Sequence, residues 1–236
     1  MAWTEHEYPD IGALTVAVAD LLRTACKTAL HADRVALIAL AGGKTPFPIY
    51  RRLASADSVD WSRVVALPGD DRCVGREHPA SNAAGLRTAF AATHGFRIQS
   101  LTADDGDPDA SLAHARSALA PFHDKAFDAV VLGMGEDAHT ASLFPGADAL
   151  PAAMTVDSTE DAFLLVPNPL PPEAPYPRIT LGLARLLRAR SLHLLVTGAR
   201  KREVLRAAQA AYDPLGAPIS ALLHATDALV HVHWSP

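Results

Sequence analysis

Cysteine is scarce in this sequence, with only Cys26 and Cys73 among 236 residues. Two thiols are too few for a disulfide framework or a cysteine-based metal site, and such scarcity is typical of a reducing cytoplasm. Positive charge is not in excess, because the formal net charge is −5, and nucleic-acid binding is therefore not favoured. No apolar run approaches the ~20 residues of a membrane span, and the N-terminal residues lack the apolar segment of a signal peptide. We expect a cytoplasmic protein without nucleic-acid or membrane partners.

Two familiar catalytic arrangements are also missing. No Gly-x-Ser-x-Gly segment occurs, which excludes the usual turn that carries a nucleophilic serine. His231 and His233 alternate in the last apolar segment without neighbouring acids or cysteines, so we expect no metal site there.

Short apolar segments alternate with helix-like segments along the whole chain. Strands are predicted at residues 2–8, 35–41, 64–67, 97–101, 129–132, 163–166, 192–196 and 228–234. Helices are predicted at residues 10–30, 46–54, from 81 or 82 onward, 107–122, 198–211 and 218–223. The alternation predicts an α/β fold, a three-layer α/β/α sandwich around a largely parallel, Rossmann-like sheet. The length suits a single domain over residues 1–236.

The most informative stretch runs from residue 127 to 146, where a buried strand ends in a glycine-rich turn. Glycine at 133 and 135 permits backbone angles that would display Glu136, Asp137 and His139 beyond the strand's carboxyl end, the edge at which ligands bind in α/β sheets. Asp137 and His139 are two residues apart, so an extended backbone would point both side chains the same way. The acid could then orient the imidazole, although an ordinary loop histidine would give the same pattern.

This stretch resembles the Gly-x-Gly-x-Asp-Gly-His-x-Ala-Ser-Leu-Phe-Pro signature of the 6-phosphogluconolactonases, which share a fold with the glucosamine-6-phosphate deaminases. The matching residues are Gly133, Gly135, Asp137, His139, Ala141, Ser142, Leu143, Phe144 and Pro145. Ala138 departs from the family's glycine, and its Cβ would cost roughly 1–2 kcal/mol if φ is positive.

A second glycine turn, Gly42-Gly43-Lys44-Thr45-Pro46, follows the predicted strand at 35–41. Thr45 is a good helix cap and Pro46 suits the first helical position, so the turn presents free N–H groups to an anion or is simply a tight connection. It is similar to the family's Ser-Gly-Gly-Ser-Thr-Pro loop, which holds the sugar phosphate. Lys44 replaces the usual serine and could add a cation near the phosphate.

Three further segments match the family in part. Asp70-Asp71-Arg72 resembles its Trp-x-Asp-Glu-Arg segment, with Pro68 near the usual tryptophan and Asp71 replacing glutamate. The six prolines between residues 167 and 177 suggest a long loop over the site, and the Pro-Arg-Ile-Thr-Leu segment that follows contains Arg178 and Thr180, a possible helix cap. Lys201 matches the phosphate-binding lysine of the family's Gly-x-x-Lys segment.

The resemblance implies hydrolysis of 6-phospho-D-glucono-1,5-lactone, a small sugar-phosphate lactone, without a cofactor or metal. His139 is the expected general base, oriented by Asp137 or Glu136, and Asp70 is a further catalytic candidate. The expected substrate- and phosphate-binding residues are Gly42, Gly43, Lys44, Thr45, Arg72, Arg178 and Lys201. We expect a monomer or weak homodimer.

Two other functions remain open. An amino-sugar-phosphate deaminase or isomerase has the same fold, but the family's deaminases carry Asn-Glu-Pro after the histidine, where this chain has Ser142-Leu143-Phe144-Pro145. A non-catalytic sugar-phosphate sensor would normally carry a DNA-binding module, and residues 1–34 show no helix-turn-helix or basic face.

Overall fold

The computed structural model describes residues 3–172, 174–226 and 228–236. Its strands are β1 (Trp3–Glu7), β2 (Ala36–Leu40), β3 (Val64–Pro68), β4 (Asp70–Arg72), β5 (Arg97–Ile98), β6 (Ala129–Gly133), β7 (Ala162–Leu165), β8 (Arg178–Leu181), β9 (Leu192–Thr197) and β10 (Val230–Ser235). Its helices are α1 (Ile11–His31), α2 (Pro46–Ala54), α3 (Asn82–Ala89), α4 (Pro108–Leu119), α5 (Leu150–Ala153), α6 (Leu183–Leu187), α7 (Ala199–Ala210) and α8 (Ile219–Leu223).

Seven strands form the central sheet in the order β1-β10-β9-β6-β2-β3-β5, and every neighbouring pair is parallel. Strand β2 illustrates that the sheet is covered on both faces. Ile38 points into an apolar cluster that includes Leu22 of α1, whereas Leu37 points into a second cluster that includes Leu119 of α4. Strands buried on both faces read as continuous apolar runs. The predicted three-layer fold is therefore confirmed.

A second, three-stranded sheet in the order β4-β8-β7 is separate from the central sheet and is antiparallel. The sequence did not predict it, since the segment at 163–166 looked like another strand of the main sheet. The expectation that Thr180 caps a helix is wrong, because Thr180 lies within β8 and Gly182 precedes α6 instead. The pairing sets Arg72 directly opposite Arg178. This small sheet thus brings two arginines from distant segments together.

Four histidines lie on the neighbouring strands β1, β9 and β10. Tyr8 Oη lies 2.9 Å from His233 Nδ1, His233 Nε2 lies 3.0 Å from His193 Nδ1, and His193 Nε2 contacts the Ser191 hydroxyl. A separate contact of 3.2 Å joins His6 and His231. Within the described ranges, no group of three or more histidine, cysteine or acidic side chains is arranged so that it could hold a metal ion. These contacts form a hydrogen-bonded network that ties the edge strand to the sheet.

No helix in the described part of the chain is long and apolar enough to cross a membrane.

Candidate active site

An open cleft of about 240 Å³ lies at the carboxyl ends of β2, β6 and β9. Ligands bind at this edge in open parallel sheets. The predicted residues that line the cleft are Gly42, Gly43, Lys44, Thr45, Asp70, Arg72, His139, Arg178 and Lys201. Asp137 and Glu136 are not part of its wall. The fold therefore brings together residues that are more than 150 positions apart in the sequence.

The His139 loop is a tight turn, not the extended segment that the sequence suggested. The backbone N–H of Gly135 donates to the carbonyl of His139 over 2.9 Å, and that of Ala138 donates to the carbonyl of Gly135 over 3.2 Å. A Cβ on Gly135 would lie 2.2 Å from His139 Nδ1. Ala138 has φ of 63°, the left-handed region in which a Cβ costs roughly 1–2 kcal/mol. Glycine at 135 is therefore required for the ring to fold back.

The turn places Asp137 against the inner nitrogen of His139. His139 Nδ1 lies 2.6 Å from Asp137 Oδ1, and the ring packs on Phe144 at 4.2 Å between centroids. Burial raises the pKa of the half-exposed Asp137 carboxyl, but the hydrogen bond and charge of His139 outweigh it and hold that pKa below its ordinary value. An ionised Asp137 accepts a hydrogen bond from Nδ1–H of His139. In a neutral ring, Nε2 then carries no proton and can accept one.

Glu136, the other candidate partner of His139, faces a different residue. Its Oε2 lies 2.8 Å from Nε of Arg200, in the first turn of α7. Of the two acids that the sequence offered, Asp137 is therefore the one that contacts the imidazole.

The Gly42-Gly43 turn is shaped by Asn82, the first residue of α3. A Cβ on Gly42 would lie 1.9 Å from Asn82 Oδ1, and Gly43 has φ of 106°. Thr45 occupies the cap position of α2, but its side chain makes no capping hydrogen bond, so that expectation is wrong. Pro46 opens the helix as predicted. The turn thus presents backbone and a hydroxyl to the cleft.

Four cationic side chains reach the cleft from four separate segments. Arg72 donates from Nη1 to the carbonyl of Ala80 over 2.8 Å, while its buried Nε has no hydrogen-bond partner among the described residues. Arg178 lies over the Phe144 ring at 5.0 Å. Lys44 and Lys201 form no ion pair within the described ranges. Such a set is suited to an anionic ligand.

The adjacent acids Asp70 and Asp71 have different surroundings because successive strand residues face opposite ways. Asp70 lines the cleft, accepts the hydroxyl of Ser142 in a short hydrogen bond, and lies 3.3 Å from the amide nitrogen of Asn82. Asp71 is fully buried. It accepts the backbone N–H groups of Asn82 at 2.6 Å and Ala83 at 3.0 Å. Asp71 therefore holds the start of α3 and does not belong to the cleft.

Burial raises the pKa of Asp71, whereas hydrogen bonds from the backbone of Ala83, Asn82 and Arg72 lower it, with a net raised value. Its N–H partners mark it as a structural carboxylate.

Sequence reasoning missed several lining residues. Asn82 was considered as a helix cap and as part of the family's His-x-x-Ser-Asn segment, and Ala141 was matched to the family signature, but neither was predicted to line the cleft. Met134, Leu195 and Thr197 were not predicted as site residues. Thr197 had a usable signal, since it directly follows the predicted strand at 192–196 and precedes a glycine. The other positions carry no chemical signature in the sequence.

Residues 9–234 match the family model described as glucosamine-6-phosphate isomerases/6-phosphogluconolactonase. A 6-phosphogluconolactonase of Pseudomonas putida is 35% identical over 235 residues, which cover 98% of this chain and 92% of that protein. One from Rhizobium meliloti (strain 1021) is 32% identical over 242 residues and matches along the full length of both chains.

A solved structure shows the same fold. The crystal structure of a 6-phosphogluconolactonase from Shewanella baltica OS155 superposes with a TM-score of 0.90 at 29% sequence identity. The match covers 99% of this chain and 97% of that one.

Proposed function

The chain belongs to the family of glucosamine-6-phosphate isomerases and 6-phosphogluconolactonases, and from this premise we propose that it hydrolyses 6-phospho-D-glucono-1,5-lactone to 6-phospho-D-gluconate, a reaction of the oxidative pentose phosphate pathway. The names of its relatives support the substrate. The observation that carries the proposal is the contact of 2.6 Å between Asp137 and His139 beside a cleft lined by cations.

In the proposed mechanism, Nε2 of His139 takes a proton from a water molecule as the water oxygen attacks the C1 carbonyl carbon of the lactone. The bond between C1 and the ring oxygen then breaks, and the imidazolium returns the proton to that oxygen. The product acid ionises to a carboxylate. General base catalysis of this kind contributes about 10²–10⁴-fold, and Asp137 acts by keeping the ring in the required tautomer.

Asp70 takes a supporting part in this proposal. Its carboxylate lies in the cleft wall, held by Ser142 and Asn82, where it can accept a hydrogen bond from a sugar hydroxyl. The phosphate is placed near the Gly42-Gly43 turn and the cations Arg72, Arg178 and Lys201, which supply charge-assisted hydrogen bonds.

We further propose that residues 1–236 act as one cytoplasmic domain that is a monomer or weak homodimer and binds no nucleic acid. The formal net charge of −5 supports the absence of a nucleic-acid partner.

The test of this function is lactone hydrolysis by the purified protein, measured above the spontaneous rate in a matched blank at each condition. Ammonia release from glucosamine 6-phosphate is assayed in parallel. Turnover of the lactone without ammonia release is expected. Ammonia release would favour the deaminase alternative, and tight binding of 6-phosphogluconate without turnover would favour a sensor.

Replacing Lys201 with alanine is expected to weaken binding of the phosphorylated lactone by about 1.5–3 kcal/mol, the range for a charge-assisted hydrogen bond. Unphosphorylated glucono-1,5-lactone should lose little, because it presents no phosphate to this lysine. Steady-state kinetics on both substrates measure the difference. The control is Arg206→Ala, which replaces an exposed residue on the same helix. Equal losses on both substrates would rule out a phosphate contact.

The same reasoning applies to Arg72→Ala, with an expected loss of similar size, about 1.5–3 kcal/mol. Arg72 also donates to the carbonyl of Ala80, so the unfolding midpoint of this variant is measured alongside its kinetics. A loss confined to the phosphorylated substrate would identify a binding role.

The rate should also depend on pH. We expect kcat/KM to fall about tenfold per pH unit once the imidazole of His139 is protonated, because the imidazolium cannot accept a proton from water. The titration of Asp137 should add no step to the pH profile of kcat/KM near neutrality, since its pKa is held below the ordinary value. Initial rates from about pH 5 to 8, each corrected for spontaneous hydrolysis, measure the profile. A profile that stays flat over this range would exclude a histidine base and would favour a carboxylate, which remains ionised there.

A further inference from the structure

Two charged side chains that lie next to cleft-lining residues in the sequence, one after Gly135 and one before Lys201, contact each other. Glu136 belongs to the turn that carries His139, and Arg200 immediately precedes Lys201 in the first turn of α7. Their charged groups are 2.8 Å apart, between Oε2 of Glu136 and Nε of Arg200. The pair therefore links the segment of the general base to the segment of a phosphate-binding cation.

This pairing is not the one that local sequence would give. Glu203 lies three residues after Arg200 on the same helix, a spacing at which oppositely charged side chains are neighbours. In the described part of the chain, Glu203 forms no ion pair, and Arg200 pairs instead with Glu136 of the His139 turn. The contact thus depends on how the His139 turn and α7 are positioned by the fold.

We propose that Glu136 and Arg200 act as a clasp that sets the spacing between His139 and Lys201. The inference rests on the proposed function, because the spacing matters only if one substrate spans both residues. A lactone held at its phosphate by Lys201 must present C1 to a water beside His139. Reacting atoms need to be about 3–3.5 Å apart, and small misplacements slow the reaction. Glu136 and Arg200 are then positioning residues that act through their neighbours.

The clasp makes a specific kinetic prediction. Breaking it should lower kcat for the phosphorylated lactone, because the anchored phosphate end and the reacting end are no longer held at a matched distance. Unphosphorylated glucono-1,5-lactone is not anchored at Lys201, so its kcat should be unchanged. Exposed ion pairs have modest effects, and we expect a decrease of about two- to fivefold in kcat.

The experiment compares Glu136→Gln, Arg200→Gln and the charge-reversed double variant Glu136→Arg with Arg200→Glu. Both single variants should show the decrease on the phosphorylated substrate only, and the reversed pair should recover to within about twofold of the wild type. Matched controls on the same helix are Glu203→Gln and Arg206→Gln, which remove the same charges at exposed positions and should leave kcat unchanged.

Each other outcome overturns a defined part of the inference. A reversed pair as slow as the single variants contradicts the clasp. An increase in KM for the phosphorylated substrate in Arg200→Gln, without one in Glu136→Gln, would make Arg200 a direct phosphate ligand. Equal losses on both lactones would indicate a local effect on the His139 turn. A wild-type protein that does not hydrolyse the lactone overturns the proposed function and the clasp with it.

Discussion

Replacing His139 with alanine should lower kcat by about 10²–10⁴-fold while leaving the protein folded. The factor is the usual contribution of a positioned general base. The fold should tolerate the change because the side chain of His139 is 28% exposed and its contacts are with the neighbouring Asp137 and Phe144. KM should change much less than kcat, since the phosphate contacts remain.

The measurement is initial-rate kinetics with the spontaneous hydrolysis subtracted, together with the unfolding midpoint. His94→Ala, at an exposed position outside the cleft, is the matched control and should retain full activity. Added imidazole should partly restore turnover in His139→Ala, in proportion to its neutral form, since it can replace the missing base. Near wild-type turnover of His139→Ala would mean that another group activates the water.

The second large effect concerns acid stability and comes from the histidine network of β1, β9 and β10. Burial lowers the pKa of His193 to about 3, with His231 and His6 adding repulsion. Burial likewise lowers the pKa of His233 to about 2, with help from the other three histidines. Both residues are almost inaccessible to solvent. They therefore stay neutral in the folded protein under conditions in which an exposed histidine would be charged.

The direction of the effect follows from proton binding. In the unfolded chain both histidines titrate near pH 6.5, so below that pH the unfolded state binds protons that the folded state excludes. The free energy of unfolding is thus fully maintained above about pH 6.5 and falls toward the folded pKa values. Each histidine contributes about 1.4 kcal/mol per pH unit, and two residues over two units lose of the order of 5 kcal/mol. That loss is comparable to the whole stability of many domains.

Urea unfolding between about pH 4.5 and 7.5 tests this expectation. The slope of unfolding free energy against pH should be steeper for the wild type than for the double variant His193→Gln with His233→Gln. The difference in slope should correspond to about two protons taken up on unfolding. Glutamine keeps hydrogen-bonding capacity without a titration in this range. His94→Gln, a change at an exposed position outside the histidine network, is the control and should leave the wild-type slope unchanged. Parallel curves for the wild type and the double variant would show that these two histidines are not the cause.

Much of the fold followed from local patterns in the chain. Apolar segments such as 129–132 are continuous because their strands are covered on both faces, and glycine or proline marks where they end. The main parallel sheet was therefore predictable. The sheet β4-β8-β7 was not, since its strands are only three or four residues long, too short for a periodic signal, and β4 pairs with β8 more than 100 residues further along the chain.

The candidate site also has a part that the sequence predicts and a part that it does not. Its chemical groups, including His139, Asp137, Arg72 and Lys201, were recognisable by residue type and by their places after strands. Their partners were not. The sequence offered both Glu136 and Asp137 as partners of His139, and only the structure shows that Asp137 contacts the imidazole while Glu136 pairs with Arg200.

By itself, the sequence determined the α/β layering, the residue types at the strand ends and the family to which they belong, because these depend on local periodicity and short motifs. The tertiary structure alone decided that Asp71 holds a helix while Asp70 faces the cleft, that Arg72 lies opposite Arg178, and that His193 and His233 are buried together. The physical reason is that hydrogen-bond partners and burial depend on residues distant in the chain, whose distances and orientations exist only once the strands are paired.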